Sequence, residues 1–163
     1  MKKGNPTFTV IIGIILVIML EFLLYTIYCV VYKASRDSDF AYLGEYTTFV
    51  NQEDNMAPEY EKNDLLIVRM ETYYSTAQTV LYKYNSSYRL GVVNKTSTSK
   101  YYVADAMNSD NDKQIIVTYP EIVGSVNKNL GGIGSIFNFM TSPIAMVITA
   151  VTFLLFIMFT KEK

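Results

Sequence analysis

The side chains that could move protons or attack a carbonyl in this chain reduce chiefly to serines, lysines and carboxylates. It contains no histidine and a single cysteine, Cys29. An imidazole general base, a His/Cys zinc site and an internal disulfide are thereby excluded, and no cofactor is expected. Ser86, Ser87, Ser97 and Ser99 cluster near Lys95 and Lys100. A Ser–Lys pair cleaves amides only where the lysine is desolvated enough to be neutral near pH 7. The polar stretch around these residues offers the opposite surroundings, so they read as solvated turn positions. Asp105 and Asp110 have the makings of a carboxylate pair, but in a run rich in Asp, Asn and Ser they read as turn formers making Asx hydrogen bonds. The sequons at Asn85 and Asn94 are short enough to arise by chance.

The elements that would position such residues begin with the membrane. Half of the 163 residues are hydrophobic, and 14 Lys+Arg against 15 Asp+Glu leave no basic excess for a nucleic-acid partner. The apolar excess sits at the two ends. Residues 8–32 (FTVIIGIILVIMLEFLLYTIYCVVY) make about 37 Å of helix, enough to span a bilayer with some tilt. This run is too long for a cleaved signal h-region and its exit lacks a small-x-small site, so it reads as a retained signal anchor. Residues 136–159 (IFNFMTSPIAMVITAVTFLLFIMF) form a second expected span, with Ser142-Pro143 near its start. Lysines at both extreme ends place residues 1–7 and 160–163 in the cytoplasm, although Lys33 and Arg36 weigh against that orientation. Residues 33–135 are then extracytoplasmic. Glu21 falls at mid-membrane, where an ionisable side chain costs about 2.5–3.5 kcal/mol on insertion scales. The expected outlet is a hydrogen bond with Thr149 or Thr152 of the second helix, with a separate membrane partner as the alternative.

The middle reads as strands. Tyr42–Val50, Leu65–Met70, Thr79–Tyr84, Tyr88–Asn94, Lys100–Ala104 and Gln114–Thr118 are short, β-branched or aromatic, and separated by Asn, Asp, Ser and Gly. No 3.6-residue apolar period occurs between the spans. The expectation is a mainly β domain flanked by N- and C-terminal transmembrane helices.

One stretch, Asn55-Met56-Ala57-Pro58-Glu59-Tyr60-Glu61-Lys62-Asn63-Asp64 with the apolar run after it, resembles the nucleophile box of signal peptidase I, Ser-Met-x-Pro with Asp six residues after the proline. The endoplasmic-reticulum-type branch, which includes SipW-like enzymes of Gram-positive bacteria, is the most similar. Further boxes follow in order. Leu90-Gly91-Val92-Val93 sits where that branch has His-Arg-Val-Val, and Ala104–Asp110 resembles its Gly-Asp-x-Asn…Asp box. Tyr119–Val126 looks like the strand that closes the domain, and Gly134–Pro143 is similar to the approach to the second helix.

The resemblance implies a small signal-peptidase-like β domain whose serine and base positions are Asn55 and Leu90. A carboxamide nitrogen is a poor nucleophile and leucine accepts no proton, so the implied enzyme lacks its dyad. Asp105 and Asp110 match the acidic box, and Ala77-Gln78 replaces an expected Gly-Asp. Signal peptidases bind substrate by β-addition, which needs neither dyad member. On this resemblance Phe49, Val50, Asn51, Met56, Pro58, Val80 and Tyr82 would line the peptide groove. The implied clients are a signal peptide or pilin-like preprotein, with an active signal peptidase or sortase as a further partner. Two other readings stay open: an active signal peptidase using non-standard residues, and a two-span scaffold or receptor whose likeness is coincidental.

Overall fold

The computed structural model describes residues 6–97, 100–104 and 114–161. The chain divides into two compact units, a helical one (residues 1–41 and 138–163) and a β one (residues 42–137).

In the helical unit, α1 runs Pro6–Arg36, a turn longer than expected at its C-terminal end. Lys33 and Arg36 lie in its last turn, where cations meet the negative end of the helix dipole. Asp37 adopts φ 47° and the Ser38 N–H donates to the Lys33 carbonyl at 3.2 Å, a Schellman stop. Among the described residues α1 is the one helix that by itself is long and apolar enough to cross a membrane.

The second expected span is not a single helix over 136–159. It consists of α2 (Gly134–Met140) and α3 (Pro143–Lys161), bent by 63° at the break. The cause is local. Ser142 caps α3 by accepting the Ala145 N–H on Oγ at 3.2 Å, and Pro143 takes the first helical position, where its missing N–H costs nothing.

α1 and α3 pack together, burying the small residues Thr26, Cys29 and Ala145. The expected bond from Glu21 to Thr149 or Thr152 is absent. Glu21 is exposed, and the Thr152 hydroxyl donates to Ile148 O within its own helix at 2.8 Å.

The β unit holds seven strands: β1 (Tyr46–Val50), β2 (Leu65–Arg69), β3 (Thr79–Tyr84), β4 (Ser87–Ser97), β5 (Lys100–Ala104), β6 (Ile115–Thr118) and β7 (Ile122–Asn129). They form one antiparallel sheet in the order β1-β2-β7-β3-β4-β5-β6. β3 and β5 match their expected bounds. β1 starts later than expected because Leu43 and Tyr46 exchange main-chain bonds in a tight turn. β7, expected only as a closing strand, occupies the middle of the sheet. The loop after β1 bonds to β4 through Asn55 and Glu53, although three strands separate β1 from β4 in sheet order. The sheet therefore curls on itself.

Val80, Tyr82, Val93, Tyr101, Val103 and Val117 pack with Tyr74 and Ile122 in a buried cluster on one face. Leu81 and Leu90, directly paired across β3 and β4, are fully buried on the other.

Burial pushes the Tyr74 hydroxyl up to about 12, against the bond it accepts from the Glu71 N–H. The fold thus prefers neutral Tyr74. Its contribution to stability, roughly 2–3 kcal/mol, is whole below about pH 10 and is lost as pH rises through 12. Tyr74→Phe is expected to remove one high-pH step of a spectrophotometric tyrosine titration of the full chain in detergent, and to flatten its alkaline loss of stability.

Candidate functional site

The segment between β1 and β2 is held by polar bonds at both ends. Asn51, 2% exposed, donates its N–H to Asp64 O at 2.9 Å and its carboxamide to Glu61 O at 3.0 Å. Its Oδ1 accepts the Glu53 N–H. Asp64 is buried too, and its carboxylate accepts the Glu61 N–H and, from β7, the Asn129 carboxamide at 2.7 Å. Met56, 1% exposed, plugs the middle of the loop, while the Ala57–Pro58 bond beside it is cis and Pro58 is exposed.

This scaffold delivers Asn55. Its Nδ2 donates to the main-chain carbonyl of Leu90 at 2.9 Å, joining residues 35 apart in sequence. β3–β4 pairing explains why that carbonyl is accessible. Val93 exchanges bonds with Ala77 and Gln78, so alternate residues of β4 face β3 and Leu90 turns its C=O the other way. Beside it, Glu53 meets Arg89 at 3.2 Å, and the Arg89 guanidinium lies 5.7 Å from the Tyr84 ring centroid. The Leu90 side chain is itself fully buried. Gly91 follows, and a Cβ there would strike Val103 and stand 3.2 Å from the Tyr82 ring. The arginine that the resemblance expects at position 91 has no room.

The groove expectations need revision. Val80 and Tyr82 belong to the core cluster, and β3 is paired on both sides by β7 and β4, so it offers no edge to a peptide. Phe49, Val50, Asn51 and Met56 are likewise buried, and Asn51 acts as the loop's structural tie. Such side chains cannot line an open groove. Asp105, Asp110 and Ser99 lie outside the described residues.

An edge does exist at β1, which pairs with β2 alone among the described strands. Asn51 donates to Asp64 and Glu45 accepts from Met70, so the odd-numbered residues between them face β2. Thr48 and Val50 turn their N–H and C=O groups to the open side.

Sequence reasoning missed Glu53, Arg89 and Asn129. Glu53 lies two residues before Asn55 and Arg89 directly precedes Leu90, so proximity to the two boxes was the available signal. Asn129 belonged to no motif. Chemically the site offers, among the described residues, a carboxamide, a guanidinium–carboxylate pair and an apolar plug. Asn55→Ala leaves the Leu90 carbonyl without this donor and is expected to cost about 1 kcal/mol in urea unfolding of the full chain.

The chain matches no protein-family model, and no curated protein matches it.

Proposed function

We propose that this chain is a signal-peptidase-like membrane protein without peptidase activity. It binds the extended membrane-exit segment of secreted or surface proteins along the open edge of β1. The observation that carries the reading is the 2.9 Å bond from Asn55 to Leu90, because motif order alone had assigned those two residues to the dyad. Ala77 adds support: it stands where the resemblance expects glycine and adopts φ 66°, a region that favours glycine. Ala77→Gly is accordingly expected to leave stability unchanged or raise it by up to about 1 kcal/mol.

Inactivity follows from the atoms. A carboxamide donates to a carbonyl and does not attack one at neutral pH, and Leu90 carries nothing that takes a proton. Binding needs neither. A peptide strand pairs with the N–H and C=O groups of Thr48 and Val50, and exposed neighbours supply side-chain contacts. In this reading both termini are cytoplasmic, α2 and α3 together form a second membrane segment, and the client is handed to an active peptidase or to a sortase-type assembly enzyme. Pilin-like proteins are clients by analogy only.

The test uses the full chain in vesicles with a photo-crosslinker at Thr48 and a synthetic peptide copying a signal-peptide exit region. Crosslinking is expected in the wild type. Thr48→Pro, which deletes an N–H on the open side while sparing the β1–β2 ladder, is expected to abolish peptide binding measured separately by fluorescence anisotropy. No preprotein cleavage is expected from the wild type, and at most a trace from Asn55→Ser with Leu90→His. Wild-type cleavage that disappears in Asn55→Ala would overturn the reading.

A further inference from the structure

α1 carries two mainly apolar stripes that differ in exposure. Ile12, Leu16, Met19, Leu23, Thr26 and Val30 follow the alternating four- and three-residue spacing of a helix–helix seam, and all are partly or wholly covered. α3 packs on α1 within the helical unit, and Thr26 and Cys29 are the α1 residues buried there. Alternately two and one residues further on, about 150° around the helix, Ile14, Val17, Glu21, Leu24, Tyr28 and Val31 keep the same kind of alternating three- and four-residue spacing. Every one of these is exposed. The seam runs on into a surface groove of about 420 Å³ that Leu24, Tyr28, Val31 and Ser35 help to line.

Glu21 is the sole carboxylate or cation between Phe8 and Tyr32. Its side chain is exposed, so on a membrane-spanning α1 it has hydrocarbon rather than water beside it. An apolar seam alone is satisfied by lipid, whereas a seam with one acidic group at its centre is not. We infer that this seam docks a second transmembrane helix, one presenting a lysine or arginine at the depth of Glu21. Charge decides between a foreign helix and a second copy. A parallel copy would set Glu21 against Glu21 and Arg36 against Arg36, whereas a basic partner neutralises the carboxylate. The inference stands independently of what the β unit binds.

The experiment reconstitutes the dye-labelled full chain in phosphatidylcholine vesicles with a designed polyleucine helix bearing one central lysine. Energy transfer is compared with that to the same helix with leucine in place of lysine. The lysine helix is expected to associate at least tenfold more strongly. Glu21→Leu removes that preference and Glu21→Gln reduces it. Leu24→Trp, on the seam, weakens association with Glu21 intact, whereas Ile18→Trp, exposed a quarter-turn away, leaves it unchanged. Equal transfer to both helices, or a preference that survives Glu21→Leu, overturns the inference. So does equal weakening by the two Trp variants, or peptide-independent pairing of the chain with itself that Glu21→Leu abolishes.

Discussion

Gly124→Ala is expected to destabilise the β unit by about 3 kcal/mol, the largest effect of any single methyl group considered. Gly124 sits in β7, paired with Leu81 of β3 and lying against the end of β2. A Cβ there would strike the main-chain carbonyl of Arg69 and come within 2.8 Å of Val68 Cγ1. Backbone cannot rotate away as a flexible side chain can. β2 must therefore separate from β7, in the middle of the sheet and beside the strand that carries the Asn55 loop. Gly132→Ala is the control, since nothing lies within 4 Å of its added methyl. Urea unfolding of the two variants in detergent, followed by tyrosine fluorescence, should show a large loss for the first and almost none for the second. Equal midpoints would mean that β2 and β7 are not held as described.

The second large effect is Leu90→Ala, expected to cost about 3 kcal/mol. Leu90 is fully buried and faces Leu81 across the β3–β4 pair, so truncation opens a cavity that two paired strands cannot close. The Asn55 bond goes to the Leu90 main chain and survives the change. A division of labour follows: the position 90 side chain serves stability, and its carbonyl anchors Asn55. Leu90→Ala should lower the unfolding midpoint far more than Asn55→Ala while leaving the proposed peptide binding at β1 intact under conditions where the protein is folded. A peptide affinity that falls in step with the Leu90 truncation at full occupancy of the folded state would contradict that separation.

Much of the β unit is legible in the residues. β3 and β5 could be read to their ends because β-branched and aromatic runs stop at turn formers, and Asn85 and Ser86 indeed take positive φ between β3 and β4. α1 is legible from its unbroken apolar run. The break before α3 and its 63° bend were not legible, because Pro143 near the start of an apolar run is equally compatible with one continuous helix. Positions 55 and 90 were picked out by motif order and prove to be in contact.

What the residues did not disclose depends on neighbours brought from afar. Val80 and Tyr82 alternate like any half-exposed strand, and only flanking by β7 and β4 makes them core. Asn51 looks like a groove residue until the chain returns at Glu61 and Asp64 to take up its polar atoms. Glu21 was assigned an intramolecular partner, but the side of α1 that α3 occupies is chosen by packing of the whole helix pair. Local propensity and apolar periodicity act over a few residues, so the sequence alone determined most of the elements and which side chains stand at positions 55 and 90. Pairing and burial are sums over contacts distant in the chain. Tertiary structure alone therefore decided which described strand edge stays open and which face of α1 is exposed.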